Sequence, residues 1–131
     1  MTNIQFLDNG KALKGYDAVS VFNCAGVPGK ENISSIYLEA VYQFDSEMNK
    51  ATFDANPQKY VPKYGGHCSI AVSEGVLVEA NPLSSLVQDG ELHVFYKDEA
   101  EDTQDEWKVN PVALKKQAEV QWITLSNPQN V

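Results

Sequence analysis

Cysteine is scarce in this chain of 131 residues, with only Cys24 and Cys68 present. A domain stapled by disulfides carries more cysteines in a shorter chain, so that class is excluded. The two thiols are far apart and can pair or stay free, and both suit small buried hydrophobes. Long apolar runs are missing, and nothing approaches the ~20 residues of a membrane span. The opening Met1-Thr2-Asn3-Ile4-Gln5 lacks the basic segment followed by an apolar one that marks a secretory signal. A soluble protein is expected, with the cytoplasm as its default location. Basic residues are outnumbered, 10 against 18 acidic ones, for a net charge of −8. Such a charge repels phosphate backbones and anionic membrane surfaces, so neither nucleic acid nor membrane is an expected partner. Absent too are a Gly-x-Gly-x-x-Gly loop, a phosphate loop and a Gly-x-Ser-x-Gly elbow.

What remains is ordinary for one globular domain spanning 1–131. Hydrophobic residues make up 43% and charged residues 21%. Ile4 to Leu7 ends in the turn signal Asp8-Asn9-Gly10, and the first thirty residues read as strand, turn and loop around an apolar segment, Gly15 to Phe22. Ile36 to Phe44 alternates, with Ile36, Leu38, Ala40, Tyr42 and Phe44 on one face, as expected of a single strand. A helix capped by Asp45-Ser46 is expected from Glu47 to Ala55, burying Met48, Ala51 or Thr52, and Ala55. Asparagine caps helices and proline fits their first position, so Asn56-Pro57 and Asn110-Pro111 read as helix starts, with Asn81-Pro82 a turn. Asp89-Gly90 between Leu83–Gln88 and Glu91–Tyr96 is a hairpin signal. The last helix places Leu114, Ala118 and Trp122 on one stripe, and the tail from Ser126 is expected to fray. The fold expected is α+β: a small, mostly antiparallel sheet covered by short helices. Phe53 and Tyr60 should pack on that sheet, with Trp107 and Trp122 closing the core.

Three groupings bear on chemistry. Cys68 stands beside His67, just after Tyr64-Gly65-Gly66. A thiolate activated by imidazole is a nucleophile, but helical neighbours point about 100° apart, so a catalytic partner for Cys68 would be His93. Thiolate and imidazole also ligate copper or zinc, which makes His67, Cys68 and His93 the candidate metal ligands, with Cys24 a further one. No Cys-x-x-Cys or His-x-x-x-His spacing supports them. Tyr16-Asp17 and Tyr64-Gly65-Gly66 are rich in hydroxyl and backbone donors, and two glycines let backbone pass close to another element or a small ligand. The candidate ligand-binding residues are Tyr16, Asp17, Tyr64, His67 and Cys68. Asp98 to Glu106 holds six acidic residues in nine positions, yet Thr103 stands where a calcium loop needs glycine, so a solvated helix face or loop is expected.

The order of these segments resembles the YHS-domain family. Gly15-Tyr16-Asp17-Ala18-Val19-Ser20-Val21-Phe22 is similar to its Gly-Tyr-Asp-Pro-Val-Ala-Tyr-Phe opening. Tyr42 to Ser46 and Phe53 to Tyr60 resemble its Tyr-x-Phe-x-Ser and Phe-x-x-x-Pro-x-x-Tyr segments. Tyr64-Gly65-Gly66-His67-Cys68-Ser69-Ile70-Ala71-Val72-Ser73-Glu74-Gly75 resembles the Tyr-Gly-Gly-Tyr-Cys segment of the larger, stand-alone branch. Asp89 to Leu92, Trp107 and Trp122 fit the ending of that branch, so the likeness runs from about Leu13 to Trp122. The short modules of the family are thought to bind metal through cysteines, and those positions fall here on Ser20, Asp45 and Asn49, none of them a thiol. The stand-alone branch keeps one cysteine, matched by Cys68, usually has tyrosine where His67 stands, and is often exported. The leading expectation is a non-enzymatic YHS-type binding module holding a transition metal or another small ligand near His67 and Cys68, on their adjacency after the Gly65-Gly66 turn. Against it stand a structural or interaction module, dimeric in one version, with an inert buried Cys68, and a thiol-dependent enzyme.

Overall fold

The computed structural model describes residues 4–127 of the chain. Its strands are β1 (Leu7–Asp8), β2 (Lys11–Ala12), β3 (Lys30–Tyr37), β4 (Ala40–Phe44), β5 (Asn81–Gln88) and β6 (Glu91–Phe95). Its α-helices are α1 (Ala18–Phe22), α2 (Glu47–Ala55), α3 (Pro57–Tyr60), α4 (Ser69–Ser73), α5 (Gln104–Val109) and α6 (Pro111–Leu125), with 3-10 turns at Leu13–Gly15 and Lys63–Gly66. The architecture is α+β, as expected, but the strands form two small sheets rather than one. The first runs in the order β1-β2-β4-β3, antiparallel except where β2 meets β4. The second is the β5–β6 hairpin, turned by Asp89 and Gly90, both at positive φ. No helix among the described residues is long and apolar enough to cross a membrane.

The segment Ile36–Phe44 is not one strand. Leu38 and Glu39 take φ values of 50° and 69° and fold it into a hairpin between β3 and β4. Reversal at that point keeps Ala40, Tyr42 and Phe44 in the core but leaves Ile36 and Leu38 exposed. Helix α1 replaces the expected loop, because the Asp17 carboxylate accepts from the backbone N–H of Val19 and Ser20 at its start. The apolar segment after His67 likewise forms α4. Helix α2 has the expected bounds but a different buried face: Phe53 is sealed while Met48, Ala51 and Ala55 are exposed. Phe53 wins that place because its ring fills the space edge-on to Tyr42 and Phe44, at 4.8 and 5.1 Å.

Trp107 is fully buried, with its indole N–H donated to Gln88 and its ring against Phe95 and His93. Ala118 is buried on α6, with Leu114 and Trp122 packed on the core beside it. Tyr60 is buried near Phe53. Ser126 ends α6 with a bond from its N–H to the Trp122 carbonyl, and residues 128–131 of the tail lie outside the described residues.

Candidate ligand site at the diglycine turn

The turn Lys63–Gly66 runs along the free edge of β6, with parallel bridges from Pro62 to Leu92 and from Cys68 to Val94. Gly65 has φ +63°, and a Cβ there would collide with the Ile4 carbonyl. The glycine therefore lets the amino-terminal segment lie against the turn, where the Phe6 N–H donates to the Gly65 carbonyl at 2.8 Å.

Beside this turn lies a pocket of about 420 Å³. Its walls come from distant parts of the chain: Leu38 and Glu39 at the β3–β4 tip, Tyr42 on β4, Pro62 and Gly65 at the turn, and Trp122 on α6. The β3–β4 tip is held in place by Gln5, whose side-chain amide donates to the Leu38 carbonyl at 2.8 Å. Tyr42 is almost wholly buried, and its hydroxyl bonds no described residue. Nor is that hydroxyl among the orphaned polar atoms sealed from solvent, which are Tyr64 Oη and His93 Nε2. Burial, with Tyr37 nearby, raises the Tyr42 pKa, so the hydroxyl stays protonated. Glu39 is the only charged side chain among the described residues that line the pocket.

The histidine and cysteine that follow the turn diverge. Their backbone is extended, and successive side chains of an extended chain point to opposite sides. His67 packs toward Phe6 and Trp122, at ring distances of 6.3 and 6.2 Å. Its Nδ1 donates to the Tyr64 carbonyl at 2.9 Å, and burial holds its pKa below the usual value. Cys68 is buried, with its sulfur 3.4 Å from the Thr103 hydroxyl. That hydroxyl donates to the Tyr96 carbonyl, so the thiol is the donor to Thr103.

His93 lies elsewhere again. It is sandwiched between Tyr64 and Trp107, with Nδ1 3.0 Å from the Ser69 hydroxyl. The imidazole that a thiol-dependent mechanism would assign to Cys68 is therefore engaged by the serine next to it. Burial lowers the His93 pKa to about 4, helped by the positive charges of Lys115 and Lys63. Those lysines belong to an ionic lattice in which Lys63 bridges Glu91 and Glu119 and Lys115 bridges Asp89 and Glu91. His67, Cys68 and His93 thus have three different hydrogen-bond partners, although both histidines border Tyr64. No group of three or more His, Cys, Asp or Glu among the described residues is placed to hold a metal ion. Cys24 is exposed and unpaired, with its sulfur near the Ser85 carbonyl, so it is neither a core residue nor a partner of Cys68.

Tyr16 and Asp17 are remote from the pocket walls. Asp17 is fully buried and spends its carboxylate on the fold: one oxygen caps α1, the other accepts from the Asp45 N–H and the Asn49 side-chain amide, both at 2.8 Å. Ser20, Asp45 and Asn49 therefore converge on one carboxylate. Tyr64 is also a core residue, its ring against His93 and Trp122.

Of the residues singled out in the sequence, Gly65 lines the pocket, and Tyr64 and His67 pack on its Trp122 wall. Leu38, Glu39, Tyr42, Pro62 and Trp122 were not legible as site residues, because each was accounted for as strand, turn or core. A comparison with protein-family models, curated proteins and solved structures finds no match to this chain.

Proposed function

We propose that this protein is a non-enzymatic binding module of the YHS type that holds a small, largely apolar ligand in the pocket beside Gly65. The observation that carries this reading is the pocket itself. Its volume of about 420 Å³ lies within the range of small-molecule sites, and its walls are mainly apolar, with Tyr42 among them. Ser20, Asp45 and Asn49, the positions that the resemblance matches to thiols, all bond to Asp17, which favours a non-metal ligand over the metal site of the short modules. The sealed, divergent placement of Cys68 favours a packing role for its sulfur over a ligating or nucleophilic one.

The test is a ligand-observed NMR screen of small aromatic and aliphatic fragments, repeated on Val61→Phe. Val61 lines the pocket, and the larger ring would fill it. Fragments with Kd below ~1 mM, equivalent to about −4 kcal/mol, should bind the natural chain and be lost from a folded Val61→Phe protein. A screen without such fragments, or one indifferent to the filled pocket, removes the reading.

A further inference from the structure

Resting on the pocket reading above, we propose that the ligand is a small cation with an apolar body, an amine or quaternary ammonium attached to an aryl or short alkyl group. Among the described lining residues there is one carboxylate, Glu39, and no lysine. Glu39 is exposed at the hairpin tip, where it makes no ion pair with any described residue, so its charge is available to a ligand. Lys63, next in sequence to the lining Pro62, is committed to Glu91 and Glu119 and lies over the Tyr64 ring. His67, which packs against Trp122, is held neutral by burial and brings no opposing charge.

The apolar walls add to the same preference. Trp122 supplies an aromatic ring, and the faces of such rings carry negative potential and attract cations, tryptophan most strongly. Trp122 is wedged against Tyr64 and His67, so the pocket keeps its indole wall without a ligand. Leu38, Val61 and Pro62 offer surface for a hydrocarbon body. The net charge of −8 draws cations toward the protein as a whole and repels anions from the mouth. An anionic ligand of the same size would meet a carboxylate and no lining base to answer it.

Three probes of one shape separate the possibilities: phenethylammonium, phenethyl alcohol and phenylacetate, titrated by calorimetry at pH 7 and low salt. The cation should bind about tenfold more tightly than the alcohol, a ratio in keeping with one exposed ion pair and a cation–π contact. Phenylacetate should be the weakest of the three. Glu39→Gln should bring cation and alcohol to within about twofold, while Glu31→Gln, an equal charge change on β3 outside the pocket lining, should leave the tenfold ratio intact. If the alcohol binds as tightly as the cation, the pocket stands and the cation assignment falls. If Glu31→Gln and Glu39→Gln act alike, the preference belongs to the net charge and the assignment to Glu39 falls. If none of the three binds, or if probe binding weakens as protein concentration rises because a second copy occupies the pocket, both readings fall together.

Discussion

His93 has its Nδ1 on the Ser69 hydroxyl and its Nε2 without a protein partner, in a space closed by Tyr64 and Trp107. Protonation there would place a charge among rings, below two lysines already in ion pairs. The folded pKa near 4 lies below the ordinary value of 6.5. Above pH 6.5 the imidazole is neutral in both folded and unfolded chains, and its contribution to stability is complete. As pH falls from 6.5 toward 4 the unfolded chain takes up a proton that the folded one refuses, so stability drops. His67, whose pKa is also lowered by burial, acts in the same direction. The carboxylates of Glu91, Asp54 and Asp98 are held low and lose their contributions only as pH falls through the carboxylate range. The window from pH 6.5 to 5 therefore belongs to the two imidazoles. Urea unfolding should show the natural chain losing roughly 2 kcal/mol between pH 7.5 and 5, and His93→Gln losing less than half of that. Equal slopes for the two proteins would contradict the burial assigned to His93.

Among the hairpins, the β3–β4 turn is the one whose sequence disagrees with its shape. A two-residue turn with both residues at positive φ favours Asn-Gly or Asp-Gly, and the β5–β6 hairpin follows that rule with Asp89-Gly90. The first hairpin uses Leu38-Glu39, at a cost of about 1–2 kcal/mol per residue in the left-handed region. Both residues line the pocket, which gives that cost a use. Leu38→Asn with Glu39→Gly should raise unfolding free energy by about 1 kcal/mol, read as a higher urea midpoint with an unchanged slope. The same double variant should bind the pocket's ligands more weakly. A lower midpoint would mean that Leu38 packs more usefully than its exposure indicates.

This mismatch also shows where the fold was legible. Asp89-Gly90, Asn56-Pro57 and Asn110-Pro111 announce a turn and two helix starts through local chemistry, and the structure has each. Leu38-Glu39 carries no such signal, so period-two alternation ran straight through it. Helix α1 was hidden because its cap depends on Asp17 being fixed by Asp45 and Asn49 far along the chain. The inward face of α2 was decided by Tyr42 and Phe44, which a helical periodicity does not contain.

At the scale of the whole molecule the pocket is a junction of the two ends with the middle. Ile4 and Gln5 meet Ser126 across it, with the β3–β4 tip and the Lys63–Gly66 turn between them. Such a site is absent from any local window of sequence; only the diglycine, by demanding a close backbone approach, pointed to its place. A ligand seated there would tie together segments that otherwise open first, since chain ends fray at low free energy. At one hundred times its Kd, a ligand adds about 2.7 kcal/mol to global stability, and that gain reaches every amide that exchanges only by complete unfolding. Amides that exchange by local opening respond differently. The Phe6 N–H, bonded to the Gly65 carbonyl, and the Ser126 N–H, bonded to the Trp122 carbonyl, lie at the junction. Hydrogen exchange of both should slow at least tenfold on saturation, while the amides flanking Asp89-Gly90 at the other hairpin tip keep their rates. Slowing confined to the Asp89-Gly90 tip would place the ligand elsewhere, and no change at Phe6 or Ser126 would show that the chain ends are not held by what the pocket binds.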